Sequence, residues 1–230
     1  MSSLQNDRCL VVFTRFPREG QSKTRLALEV GHKNATELNK SFIYDILLHF
    51  CQRDFDLVIA GAESDQEAEF SELAEDYGSF DSFFLPDGDT MDEQIFSSYC
   101  WAFTRYKKAI LTASDIPQLS TQHINELFVD LEDNDVVFHM NHDGGTCPQG
   151  MKSPFDLFTS MAHRSIAHCG EWKQLLRKMN LKHKMEPEIL IDIDTLNDLI
   201  IFYHWQQLLP LGSGMFCPVT VKAIKNTLGV

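Results

Sequence analysis

Two periodicities alternate along residues 9–140, and that alternation restricts the fold more than any other feature of the chain. Short β-rich runs stand at CLVVF (Cys9 to Phe13), DLVIAG (Asp56 to Gly61), SFFLP (Ser82 to Pro86), AILTAS (Ala109 to Ser114) and DVVFHM (Asp135 to Met140). Segments of helical spacing separate them: ATELNKSFIYDILLHF, SDQEAEFSELAEDY, MDEQIFSSYCWAFTRY and STQHINELFVDLED. Strand, helix, strand, repeated four times, predicts an α/β fold with a parallel sheet and right-handed crossovers. Ser64 lies three residues before Glu67, which predicts a capping box, and Ser120 or Thr121 opens the helix after DIPQL.

From Met151 the rhythm loosens into an EWKQLLRKM helix, a short EILID strand and a long TLNDLIIFYHWQQLL helix. No linker rich in Pro, Gly or Ser interrupts the chain. Residues 1–230 therefore read as a single domain with a less regular C-terminal extension from about 205. With 230 residues, 43% of them hydrophobic and 23% charged, the chain can bury a sizeable core, which excludes a disordered protein.

The charge balance narrows the class of partner. Twenty Lys plus Arg against 33 Asp plus Glu give a formal charge of -13, which argues against nucleic-acid or anionic-membrane binding. Yet Arg15, Arg18, Lys23 and Arg25 crowd into FTRFPREGQSKTRLAL directly after the first strand. A local basic loop in an acidic chain points to a small anionic ligand. The six cysteines form no CxxC pair, so neither a zinc knuckle nor a disulfide framework is indicated. MSSLQNDR has no apolar signal core, and no apolar run is long enough to span a bilayer, so a cytoplasmic location is expected.

In open α/β sheets, ligands bind at the carboxyl ends of the strands. Here those ends read TRFPREGQSKTR, PDGDT, SDIP, NHDGG and DIDT: one is basic and four are acidic. That division suits a nucleotide with a divalent cation, Lys and Arg meeting phosphate oxygens while carboxylates hold Mg²⁺ or Mn²⁺. Each piece alone also has a purely structural reading. SDIP is a turn, HDGG a tight turn with Gly at positive φ, and DIDT a helix cap at Asp194 or Thr195. Their convergence on one sheet edge favours the functional reading.

Two competing motifs fail on their spacing. GQSKT followed by a helix resembles a P-loop, but Ser22 stands where GxxxxGK[ST] needs Gly, and GxGxxG is absent. The spacing of His139 and His142 puts them on opposite faces of a continuing strand, which does not favour zinc.

VVFTRFPREGQSKTRLA, DGDTMDEQIFSSYCWAF, AILTASDIPQLS, DVVFHMNHDGG and LIDIDTLNDL, in that order, resemble a known family. They are similar to the GT-A-like nucleotide-diphospho-sugar transferases of the radical-SAM/selenodomain-associated glycosyltransferase type. The resemblance implies a three-layer Rossmann-like, mostly parallel sheet with the active site on its carboxyl edge. It implies a metal at Asp115, with Asp192 or Asp194 supplying a second metal or phosphate-side carboxylate. It further implies nucleotide binding by Arg15, Gly20, Lys23, Thr24 and Arg25, with Asp87 and Gly88 from the third strand end. Asp143 is the candidate to orient or deprotonate an acceptor hydroxyl.

The implied reaction is Mg²⁺- or Mn²⁺-dependent glycosyl transfer from a nucleotide sugar to a small-molecule acceptor. Nucleotidyl transfer from a nucleoside triphosphate is the alternative, and a homodimer is compatible with either. Two departures stand out: Gln94 occupies a region where the family has an Arg, and DGGTCPQGM replaces a DGGYYLIG-like stretch. They alter the expected acceptor pocket and leave a non-catalytic nucleotide-binding protein as a further reading.

Overall fold

The first strand, β1 (Arg8–Phe13), buries Cys9, Leu10, Val11 and Val12 completely, as a central parallel strand must when both sheet faces are covered. Successive side chains leave on opposite faces. Leu10 and Val12 join a core with Ile43, Leu47, Phe70 and Phe128, whereas Cys9 and Val11 join Tyr99, Ala102 and Trp172. These two apolar layers, on either side of one sheet, make the expected three-layer fold. Each fully buried Phe or Leu in them contributes about 1.5–3 kcal/mol.

In a computed structural model, residues 6–159, 169–210 and 212–229 are described. After β1 come α1 (Thr24–Val30), α2 (His32–His49), β2 (Asp56–Ala60), α3 (Gln66–Ala74), β3 (Ser82–Phe84) and α4 (Met91–Phe103). The chain continues through β4 (Lys108–Ala113), α5 (Thr121–Asp133), β5 (Val136–Asn141), β6 (Thr146–Met151), α6 (Cys169–Lys178), β7 (His183–Leu190), α7 (Leu196–Gln206) and α8 (Pro218–Leu228). The seven strands are ordered β3-β2-β1-β4-β6-β5-β7. Every pairing is parallel except those of β6, which runs antiparallel to both β4 and β5. The carboxyl ends of β1, β2, β3, β4, β5 and β7 thus share one edge, as the alternating periodicity predicts.

The structure differs from the sequence reading at four places. Strand β6 carries no apolar run, because Pro148 and Gly150 break its pattern. Gly150 is needed there, since a Cβ would lie 2.8 Å from Val137 and 3.1 Å from both Ile110 and Leu131. The last strand begins at His183 rather than Glu188, as an exposed edge extension of EILID. The Ser64 capping box is not formed: α3 begins after Asp65 with no side-chain cap. Gln66 Oε1 instead accepts from the Ala62 and Phe16 N–H groups, which shapes that turn. The region beyond 205, expected to be less regular, contains α8, whose Val219 and Thr220 N–H groups donate to the fully buried Asp45 carboxylate of α2 at 3.2 and 2.7 Å. By contrast, Ser120 caps α5 and Thr195 caps α7 as the sequence predicts. Among the described residues no helix is long and apolar enough to cross a membrane.

Candidate active site

Backbone hydrogen bonds bring three distant segments to the same edge. The Asp115 carbonyl accepts from Ile193 N at 3.0 Å, and Gln118 Nε2 donates to the Ile191 carbonyl at 2.9 Å, so the turn after β4 grips the segment after β7. Asp198 then fixes the far end of that segment: its Oδ2 accepts from the N–H groups of Asp194 (3.1 Å) and Thr195 (2.8 Å). Its Oδ1 lies 2.8 Å from His142 Nε2, which ties in the turn after β5. On the other side, Thr14 Oγ1 donates to Ser114 Oγ at 2.9 Å and joins the ends of β1 and β4.

Lys23 stands at the centre. It precedes α1 with φ 49° and ψ 46°, a left-handed conformation that costs a non-glycine residue about 1–2 kcal/mol. Its side chain is only 8% exposed, and its Nζ lies 2.7 Å from Asp115 Oδ2 and 3.0 Å from Asp194 Oδ1. Arg25 adds a contact of 2.7 Å to Asp194 Oδ2. Burial works against the Lys23 charge, but the carboxylates of Asp115, Asp194 and Asp192 outweigh it and hold the ammonium pKa above the ordinary lysine value.

Ligand atoms of Asp115, Asp192 and Asp194 all lie within 4.8 Å of one another, the only such trio of potential metal ligands among the described residues. Asp115 Oδ1 and Asp192 Oδ1 are buried and have no hydrogen-bond partner. Burial, then the negative charge of Asp115, pushes the Asp192 carboxyl up to about 8, with Lys23 opposing and Asp194 and Asp143 adding to the rise. Buried, clustered and incompletely paired carboxylate oxygens fit a hard divalent cation such as Mg²⁺ or Mn²⁺.

The trio opens into a cleft of about 700 Å³. Arg15, Lys23, Thr24, Arg25, Asp115, Asp192, Asp194 and Gln94 line it. Gly20, Asp87, Gly88 and Asp143 do not. Gly20 turns the loop at φ +78°. The Gly88 carbonyl accepts from Gln94 Nε2 at 3.0 Å, and so orients a residue that does line the cleft. Asp87 is exposed. Asp143 closes a turn, its Oδ1 accepting from Gly145 N at 2.8 Å. Arg18, the fourth cation of the basic cluster, does not line the cleft and pairs with Glu63, Asp65 and Glu69.

Several lining residues carry no sequence signal of their own. Thr14, Ser22 and Ser114 sit within or beside the strand-end motifs. Asn141, Thr146, Cys147 and Gln149 belong to β5 and the unforeseen β6, and Gln149 could not be placed at the cleft without that strand.

Residues 51–164 match the sequence profile of a family described as an uncharacterized protein conserved in bacteria (DUF2064). That match leaves Lys23, Arg25, Asp192 and Asp194 outside it. No curated protein sequence matches the chain. Among solved structures, a candidate nucleotide-diphospho-sugar transferase from Desulfovibrio desulfuricans G20 is similar at a TM-score of 0.82 and 22% identity, over 97% of this chain and 99% of that one. A cytidylyltransferase from Leptospira borgpetersenii serovar Hardjo-bovis follows at 0.56 and 14%, over 98% and 96%. The 4-diphosphocytidyl-2C-methyl-D-erythritol synthase of Anaerococcus prevotii DSM 20548 stands at 0.55 and 12%, over 88% and 96%. The fold is that of the nucleotide-diphospho-sugar transferases, as the sequence resemblance implies.

Proposed function

We propose that this chain is a divalent-metal-dependent transferase acting on a nucleotide-activated donor, with transfer of the glycosyl group as the reaction. The observation that carries this reading is the convergence of Lys23 and Arg25 with Asp115, Asp192 and Asp194 at the carboxyl edge of the sheet. A bound Mg²⁺ or Mn²⁺ held by the three aspartates would neutralise charge on the diphosphate as it leaves.

The chain's own groups supply the rest. Arg15 and Arg25 present guanidinium groups suited to paired phosphate oxygens, and Lys23, already paired with Asp115 and Asp194, would add a compact positive charge to phosphate binding. Lys23 also keeps the aspartate trio tolerable when no cation is bound, because its ammonium touches two of the three. Asp194 orients Arg25, and the Asp198–His142 pair keeps the Asp192–Asp194 segment against the Asp115 turn. Asp143 is assigned to the turn at the rim.

The fold likeness to two cytidylyltransferases favours a second reading, nucleotidyl transfer with release of pyrophosphate. A product assay separates them. Nucleoside diphosphate released from a panel of sugar nucleotides with Mn²⁺ supports glycosyl transfer, and pyrophosphate released from nucleoside triphosphates supports the alternative. Metal-independent nucleotide binding that is unchanged in Asp115→Asn would sink both and leave a non-catalytic binding protein.

A further inference from the structure

The cleft has two chemically different halves. Its lining cations, Arg15, Lys23 and Arg25, all come from the loop after β1 and the first turn of α1. The half floored by β4, β6 and β5 is lined instead by neutral groups, principally Asn141, Thr146, Cys147 and Gln149. Two of these are buried amides with an unmet hydrogen-bonding need. Asn141 is 2% exposed and its Oδ1 has no partner; Gln149 is 7% exposed and its Oε1 has none. The Gln149 amide is held in one orientation, since Nε2 donates to both the carbonyl and Oγ1 of Thr146. Cys147 brings no charge either, its thiol pushed up to about 12 by burial.

We propose that this half of the cleft takes an uncharged, hydroxyl-rich group, a sugar or polyol, and discriminates against phosphorylated or carboxylated forms of it, with Asn141 and Gln149 as the selecting residues. The proposal rests on the transferase reading and names the chemistry of its second substrate. A hydroxyl donates a hydrogen bond to an amide oxygen, whereas an ionised phosphate or carboxylate only accepts. An anion placed here would face the two amide oxygens and the nearby aspartates with no cation on its own side. An unmet buried carbonyl is costly, so a donor hydroxyl that pairs it gains about tenfold or more in affinity over a group that cannot.

The test is calorimetry and saturation-transfer NMR on the full chain loaded with nucleoside diphosphate and Mn²⁺. The probes are glucose, mannose, glycerol and myo-inositol, each beside its phosphate ester. Nucleotide and Mn²⁺ binding are measured first on their own; their absence sinks the transferase reading, whereas their presence isolates the proposal. A neutral polyol is expected to bind, its phosphate ester about tenfold or more weakly, and Asn141→Ala and Gln149→Ala to weaken polyol binding about tenfold each. Asn141→Asp keeps the accepting oxygen and the side-chain shape, so polyol binding is expected to survive in it, which separates recognition from misfolding. Phosphate esters binding as tightly as their parents, no polyol binding to a nucleotide-loaded protein, or alanine variants with unchanged affinity would each overturn the proposal.

Discussion

The all-parallel half of the sheet, β3-β2-β1-β4, and the mixed half, β6-β5-β7, contribute to one cleft in opposite ways. The parallel half delivers charge: Lys23 and Arg25 follow β1, and Asp115 follows β4. The mixed half delivers neutral amides from β5 and β6, with Asp192 and Asp194 reaching back from the end of β7 to meet Asp115. Charge placed at the ends of parallel strands can be read from a sequence, because each apolar run announces its own end. Specificity placed in an inserted antiparallel strand cannot, because β6 has neither an apolar run nor alternation.

Substitutions probe that contrast at graded strength. Asp115→Asn removes the carboxylate on which both halves converge, and donor turnover is expected to fall roughly 10²–10³-fold, read as nucleoside diphosphate or pyrophosphate release. Lys23→Ala leaves the trio without its buried counter-charge. It is expected to cost about 3 kcal/mol of stability, and Mn²⁺ is expected to restore much of that in thermal unfolding. An unfolding midpoint equal to wild type without metal would show that Lys23 does not offset the trio.

In the mixed half, Gly150→Ala pushes a methyl group against Val137, Ile110 and Leu131, and a loss of about 1–3 kcal/mol in denaturant unfolding is expected. A graded effect follows from Asp192, whose carboxyl pKa is raised from 3.8 to about 8 in the fold, chiefly by burial and the Asp115 charge. Between those values the fold holds a proton that the unfolded chain has released. The stabilisation from this group is therefore fully present below about 4 and is lost as pH rises through about 8, with a slope approaching one proton. Asp192→Asn is expected to flatten that slope in chemical unfolding across pH 5–8. Arg18→Ala should do least: it does not line the cleft and pairs with Glu63, Asp65 and Glu69 of the β2–α3 turn and α3, so nucleotide affinity is expected to stay within about twofold of wild type. A larger loss would place Arg18 with the phosphate-binding cations.

The sequence made these outcomes unequally legible, for physical reasons. Asp115, Asp192, Asp194, Lys23, Arg25 and the Ser120 and Thr195 caps follow from local pattern, and the first five meet at the cleft, whereas the strand-end Asp87 and Asp143 lie outside it. Arg18 could not be separated from Arg15 and Arg25 by sequence, because loop direction is set by the Glu63, Asp65 and Glu69 carboxylates across the β2–α3 turn. Asp143 matches a catalytic motif, yet its geometry is that of a turn closed on Gly145. Asn141 and Gln149 were hidden because a buried amide has no signature until its neighbours are known.

Lys23 and Asp115 are separated by 92 positions, and Lys23 and Asp194 by 171. The order of assembly follows from those separations. A growing chain completes the β1 loop early and the Asp115 turn midway, but the second and third carboxylates, Asp192 and Asp194, arrive only after β7 has added to the sheet edge. Contacts so distant in sequence slow folding, because the entropy of closing the intervening chain is lost before they form. If the trio holds a divalent cation as proposed, metal binding would report that the last strand has docked, and a partly folded chain is spared a charged site it cannot yet balance.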